Sequence, residues 1–237
     1  MYSQQSGPPP VSTIQEARVQ ASTLFLAKVF NWMAIGLGLT AVTAFITASS
    51  PAIQQVVYPI HIILALAELG LVFFLSARIQ KISAQTATGL FIAFSVLNGL
   101  TLSAILLVYT MTSIASTFFI TAGMFGAMAI YGLVTKKDLS GMGSFMMMGL
   151  FGIIIASVVN IFLASSMMNW VISGIGVIVF TGLTAYDVQK ITQMGASGIM
   201  EQGEVAIRKT AIMGALALYL DFINLFLMLL QFFGNRD

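Results

Sequence analysis

The sequence predicts an all-α membrane protein, a bundle of seven transmembrane helices with its N-terminus in the cytoplasm. Three observations carry this. Apolar residues make up 58% of the chain and charged residues 8%, against about 25% charged in an ordinary soluble domain. That leaves too little polar surface to cover a core in water, so the natural solvent is lipid. The chain also divides into seven apolar runs of about 20 residues, the length a helix needs to cross the hydrocarbon. Finally, the basic residues gather on alternate connections between those runs.

Residues 1–23 read as a polar cytoplasmic segment, and residues 24–237 as the transmembrane domain. Met1 to Pro10 is proline-rich, with no basic stretch leading into an apolar core, so a cleaved signal peptide is not expected. Thr13-Ile14-Gln15-Glu16 has the pattern of a capping box, and Ile14, Ala17, Ala21, Leu24 and Phe25 follow at helical spacing. A cytoplasmic interfacial helix running into the first span is the expectation. The spans are placed at 29–48, 59–77, 88–108, 114–134, 142–164, 168–186 and 210–233. In lipid, backbone groups must bond within their own segment, so runs of this length are helices. The connections are short except for 187–209, where Glu204 and Arg208 form an i,i+4 pair on a predicted short amphipathic helix.

Orientation follows from charge. Arg18 and Lys28 precede span one, and Arg78 and Lys81 lie between spans two and three. Lys136 and Lys137 lie between spans four and five, and Lys190, Arg208 and Lys209 between six and seven. Of the 10 basic residues only Arg236 falls on the other side. The positive-inside rule then puts the N-terminus in the cytoplasm and the C-terminus outside. Tyr58, Tyr109 and Trp170 fall at outer ends of spans, where amphipathic rings prefer to sit. Gly36, Gly38, Gly123, Gly126, Gly149, Gly152, Gly174 and Gly176 read as close-packing positions between helices.

Function classes narrow quickly. There is no cysteine and a single histidine, His61, so thiolate metal sites, cysteine nucleophiles and histidine cages are excluded. His61 reads as an interface residue. The net charge of +2 is too small and scattered to suggest nucleic acid. The run Met146-Met147-Met148 reads as core filling, because consecutive residues point in different directions around a helix. No cofactor and no tight metal site are expected.

Ionisable groups inside spans are the informative ones, since each costs at least about 2.5–3.5 kcal/mol to place there. Three acids qualify: Glu68 in span two, Asp187 at the end of span six and Asp221 near the middle of span seven. An aspartate at that depth needs a proton, a partner or water. Asp187 is the natural partner, because spans six and seven are consecutive and antiparallel. Two carboxyls in contact in a dry site share one proton, which makes the pair a pH sensor. Arg78 competes by stabilising an ionised Asp187, since both fall near the cytoplasmic face. The alternatives are a helix-end charge for Asp187, and for Asp221 a structural hydrogen bond completed by Asn224. Glu68 either faces a polar cavity or pairs with Asn98 or Asn160, so Glu68, Asn98 and Asn224 are candidate polar residues of a pore or cavity.

Two segments carry a family likeness. Thr184-Ala185-Tyr186-Asp187-Val188-Gln189-Lys190-Ile191 closing span six, and Leu218-Tyr219-Leu220-Asp221-Phe222-Ile223-Asn224-Leu225-Phe226 in span seven, resemble signatures of the Bax inhibitor family of membrane proteins. Asn98-Gly99-Leu100-Thr101-Leu102-Ser103 is similar too, and the end of the chain from Phe233 to Asp237 resembles its bacterial branch. The resemblance implies a seven-helix fold with the last helix central, in a bacterial inner membrane. It implies a pH-sensitive calcium leak with Asp187 and Asp221 as sensor and Arg78 as latch. It also implies association with membrane-bound AAA protease machinery, as a modulator rather than an enzyme. The stretch between the aspartates is longer here than in compact members of the family.

The leading expectation is a pH-gated calcium (cation) leak whose partners are membrane lipid and calcium ions. A second is a non-enzymatic regulator that binds other membrane proteins through the N-terminal segment and the long connection. A third, intramembrane aspartyl proteolysis, is disfavoured because Leu218-Tyr219-Leu220 stands where such enzymes carry Gly-x-Gly before the second aspartate. A retinal protein is excluded, since span seven has no lysine.

Overall fold

A computed structural model of the chain describes residues 11–235, with side chains from residue 15. Arg236, expected to be the lone basic residue of the outer side, and the segment Met1 to Pro10 lie outside the described residues. Seven helices are long and apolar enough to cross a membrane. We label them α1 (Val11–Ser49), α2 (Pro51–Arg78), α3 (Ala84–Val108), α4 (Met111–Val134), α5 (Ser140–Leu163), α6 (Ser166–Ala196) and α7 (Glu204–Phe233).

The chemistry at the helix ends explains most of these boundaries. Ser83, Thr110 and Ser165 cap α3, α4 and α6 by accepting from the backbone N–H groups of Thr86, Ser113 and Met168. Each caps one of the donors that a helix start leaves without an intrahelical partner. Between α5 and α6 the chain turns through Ala164 in the left-handed region at φ 48°. Asn160 holds that turn, accepting from Ser165 N at 3.0 Å and donating to Ser165 O and Asn169 Oδ1. Between α6 and α7, Gly198 and Gly203 both take φ 85°, which only glycine adopts at little cost, and flank the tight turn Ile199–Glu201.

The structure corrects several boundaries. Thr13 already lies within α1, so it does not cap that helix. Residues 51–57, expected in a connection, are helical, and Pro59 falls in a tighter turn, Tyr58–Ile60, that interrupts α2. Proline has no N–H to give and fits poorly inside an α-helix. The long connection 187–209 is mostly helix: α6 continues to Ala196 and α7 begins at Glu204. No separate amphipathic helix forms there, and Arg208 lies over the Trp32 ring at 5.8 Å instead of pairing with Glu204.

Packing is uneven. α7 packs against α6, α1, α4 and α3, and α6 against α7, α5, α4 and α1. These two are the most buried spans, whereas α2 and α5 lie at the margin and leave most of their apolar surface outward. The main core gathers Phe25, Val29, Phe91, Phe94, Ile212 and Tyr219 with their neighbours. A smaller cluster around Phe180, Leu183, Leu225 and Leu229 joins α6 to α7 toward their other ends. Close approach depends on several glycines not singled out as packing positions in the sequence, Gly99, Gly132 and Gly195 among them. A Cβ on Gly99 would meet Thr40 O at 2.7 Å, and one on Gly132 would collide with the Ala185 backbone. Gly38, Gly123, Gly126 and Gly152, expected at interfaces, face open space instead.

Of the aromatic residues expected at the outer interface, Trp170 is exposed and stacks on Phe232 with ring centroids 4.3 Å apart. Tyr109 is buried. His61 is exposed, with Nδ1 2.6 Å from Tyr58 O.

Candidate functional site

Asp187 and Asp221 come together. Side chains on a helix lean toward its N-terminus, so on two antiparallel neighbours they lean toward each other. Asp187 lies about two and a half turns inside the Ala196 end of α6. Asp221 lies near the middle of the 30-residue α7. The α6–α7 turn sets the register, and the two carboxyls meet within interaction distance. Asp187 is therefore not at the end of its helix: residues 187–196, with Gln189, Lys190, Thr192 and Gln193 among them, carry the helix beyond the apolar run that marks the span.

The two carboxyls are unequal. Asp221 is only 4% exposed, and its Oδ2 has no hydrogen-bond partner. Asn224, the candidate partner one turn on, donates to Leu220 O at 2.8 Å. Asp187 is half-buried and lines a cavity of about 550 Å³ at the end of the bundle that carries the α2–α3 and α6–α7 connections. Its polar wall includes Gln80, Lys190, Gln202, Lys209 and Thr210, and its apolar wall reaches Ala217, one turn short of Asp221. Asp187 thus stands between the cavity and the buried acid.

Arg78 does not reach the pair. It is the exposed last residue of α2, and it forms no ion pair with Asp187 among the described residues. The cation that acts on Asp187 is Lys190, on the next turn of α6. A different tie joins the helices here: Lys209 Nζ donates to Gln80 O at 3.0 Å, linking the start of α7 to the α2–α3 connection. Two residues beyond Asp187, Gln189 accepts from Leu139 N at 2.9 Å and donates to Lys137 O at 2.8 Å. That side chain clamps the α4–α5 connection onto α6 and helps fix the helix that carries Asp187.

Glu68 forms a second polar cluster, separate from the first. It is 8% exposed and takes Asn98 Nδ2 at 2.9 Å on Oε2 and the Thr101 hydroxyl on Oε1. Asn98 Oδ1 is 3.0 Å from the Tyr219 hydroxyl, itself 2.6 Å from Thr40 Oγ1. The structure therefore joins Glu68 to Asn98, whereas Asn160 serves the α5–α6 turn. Thr40, Thr101 and Tyr219 were not among the candidates. Their one signal in sequence is a polar atom in an apolar run, which many span residues share.

A seven-span helical membrane protein with two acids meeting between its last helices is the class that fold and site define. Residues 22–237 match the family described as inhibitor of apoptosis-promoting Bax1, so this chain belongs to the Bax inhibitor family. It is 51% identical to the inner membrane protein YbhL of Escherichia coli, over 96% of this chain and 98% of that protein. An uncharacterized protein of Borreliella burgdorferi is 47% identical over 94% of this chain and 97% of its own length. One of Deinococcus radiodurans is 44% identical over 96% and 97%.

Proposed function

We propose that this chain is a pH-gated leak for cations, calcium among them, with Asp187 and Asp221 as the sensor. The supporting observation is a buried carboxyl, Asp221, whose free oxygen has no donor and whose neighbour is a second carboxyl opening on a cavity. In a dry setting two such groups share a proton. Loss of that proton leaves two like charges between α6 and α7, to be answered by separation of the helices or by a cation from the cavity. Proton and cation then compete for the same oxygens.

With no third acid or histidine beside the pair among the described residues, water supplies the other ligands of a passing calcium ion. The latch role expected of Arg78 requires a rearrangement of α2 that brings its guanidinium inward. The one-sided basic residues support an N-terminus in the cytoplasm, and the likeness to an inner membrane protein supports a bacterial inner membrane as its location. Proteins of this family are not known as enzymes.

Calcium entry into dye-loaded proteoliposomes, followed from mildly acidic to mildly alkaline pH, tests the proposal. Flux that varies with pH in the native chain and is flat in Asp187→Asn and Asp221→Asn is the expected result. Correctly inserted protein with no flux at any pH rejects the leak. The second reading, a regulator of other membrane proteins, would use the outward apolar faces of α2 and α5, which include Leu66, Phe73, Phe151 and Ile155. Those faces suit lipid or a partner's helices equally. Binding of other membrane proteins that survives loss of flux would support that reading.

A further inference from the structure

Glu68, Asn98, Tyr219 and Thr40 lie on four different helices, α2, α3, α7 and α1, and touch in series. The order is Glu68 Oε2 to Asn98 at 2.9 Å, Asn98 to the Tyr219 hydroxyl at 3.0 Å, and that hydroxyl to Thr40 Oγ1 at 2.6 Å. Thr40 Oγ1 also lies 2.8 Å from Ser95 O and 3.0 Å from Gly36 O. Each hydroxyl has one hydrogen and a carbonyl has none, so the one Thr40 hydrogen is shared among Tyr219, Ser95 O and Gly36 O, and its direction depends on the rest of the series.

With Glu68 ionised, Asn98 N–H points to the carboxylate and the Tyr219 hydroxyl donates to Asn98 Oδ1. Tyr219 oxygen then accepts from Thr40, and the contact between Thr40 and Ser95 O is left without its own hydrogen. With a proton on Glu68 Oε2 the series runs the other way. Glu68 donates to Asn98 Oδ1 after the amide turns over, Asn98 N–H donates to Tyr219, Tyr219 donates to Thr40, and Thr40 donates to Ser95 O. Every contact in the series then has one hydrogen. The amide oxygen and nitrogen have nearly the same shape, so the heavy atoms need not move.

We propose that these four side chains form a proton-responsive relay, in which one proton bound at Glu68 reverses three hydrogen bonds and moves a fourth. The signal crosses from the marginal helix α2 to the buried helix α7, and arrives two residues before Asp221. The groups facing Glu68 are neutral: Asn98 and Thr101 from α3, and Tyr219 from α7, the one other titratable member. No described lysine, arginine or histidine pairs with it. Linked hydrogen bonds in a low-dielectric interior polarise one another, so the reversal is concerted. The relay does not depend on the leak proposal, since it concerns where hydrogens sit and not what the chain conducts.

Infrared difference spectra of the liposome-embedded chain, stepped in pH, test it. The expected result is a protonated-carboxyl band on acidification that Glu68→Gln abolishes. A tyrosine band should shift in step with it, and that shift should be lost in both Glu68→Gln and Tyr219→Phe. Thr40→Val, which removes the acceptor of the reversed Tyr219 hydrogen, should abolish the tyrosine shift and keep the carboxyl band. A Glu68 band that titrates while tyrosine stays still overturns the relay. So does the lack of any Glu68 band change over the pH range in which the fold survives.

Discussion

Two acidic clusters occupy the interior of this bundle, and they are built in opposite ways. Around Glu68 both carboxylate oxygens have donors, Asn98 and Thr101, and Asn98 is itself tied through Tyr219 to Thr40. Around Asp221 one oxygen has none, and the neighbour is another acid. The difference is not a shortage of donors, because Asn224 stands one turn away and spends its N–H on Leu220 O. An unmade hydrogen bond in a buried site is costly, so a fold that completes one acid and leaves the other short has left it free to respond. A proton at Glu68 acts by turning bonds that are already made, and one at Asp221 by supplying a bond that is missing.

The sharpest way to break this contrast is Asn98→Leu. It strips Glu68 of a donor and Tyr219 of an acceptor, and should cost about 3 kcal/mol in detergent unfolding. A loss under about 1 kcal/mol would show that the Glu68 cluster is loose. Gly132→Ala comes next, because the new methyl meets the Ala185 backbone two residues before Asp187. Overpacking of this kind costs about 1–3 kcal/mol, and the displaced α6 should shift the pH response of flux. Gly126→Ala, facing open space, is the control and should leave both unchanged.

Asp221→Asn should act in the opposite sense to Asn98→Leu. It removes a like charge and supplies a donor to Asp187, so unfolding stability should hold or rise by about 1 kcal/mol while the pH response is lost. A large loss of stability would mean that Asp221 is structural after all.

The smallest effect lies in water. Asp138 accepts from Ser140 N at 2.9 Å, and the Ser140 side chain and N–H hold its carboxyl below the usual aspartate range. The stabilisation is present above the ordinary aspartate range and fades as pH falls through the lowered midpoint. Carbon NMR titration should show that midpoint return toward normal in Ser140→Pro, which lacks both donors.

Much of the fold was legible because lipid imposes a length and a polarity on every span. The seven runs and the meeting of Asp187 with Asp221 follow from that, together with the antiparallel order of consecutive helices. What hydropathy marks, though, is the part of a helix inside the membrane. It misses the extension of α6 through Gln189, Lys190 and Gln193, where the helix continues past the apolar run and Gln189 clamps the α4–α5 connection. The pairing of Arg78 with Asp187 was argued from their shared end of the bundle, which says nothing about which way an exposed arginine turns. The series from Glu68 to Thr40 joins residues far apart in sequence through contacts with no periodic signature. Glycine count likewise did not distinguish Gly132, pressed on Ala185, from Gly126, which faces nothing.

The central claim is that Asp187 and Asp221 act as one group. The most direct measurement is the pH profile of calcium flux in Asp187→Asn, in Asp221→Asn and in the chain carrying both. If the carboxyls share a proton, each single substitution flattens the profile as fully as the double, the strong non-additivity expected of residues in contact. Two single variants that each keep part of the pH response, with the double losing the sum, would contradict the pair.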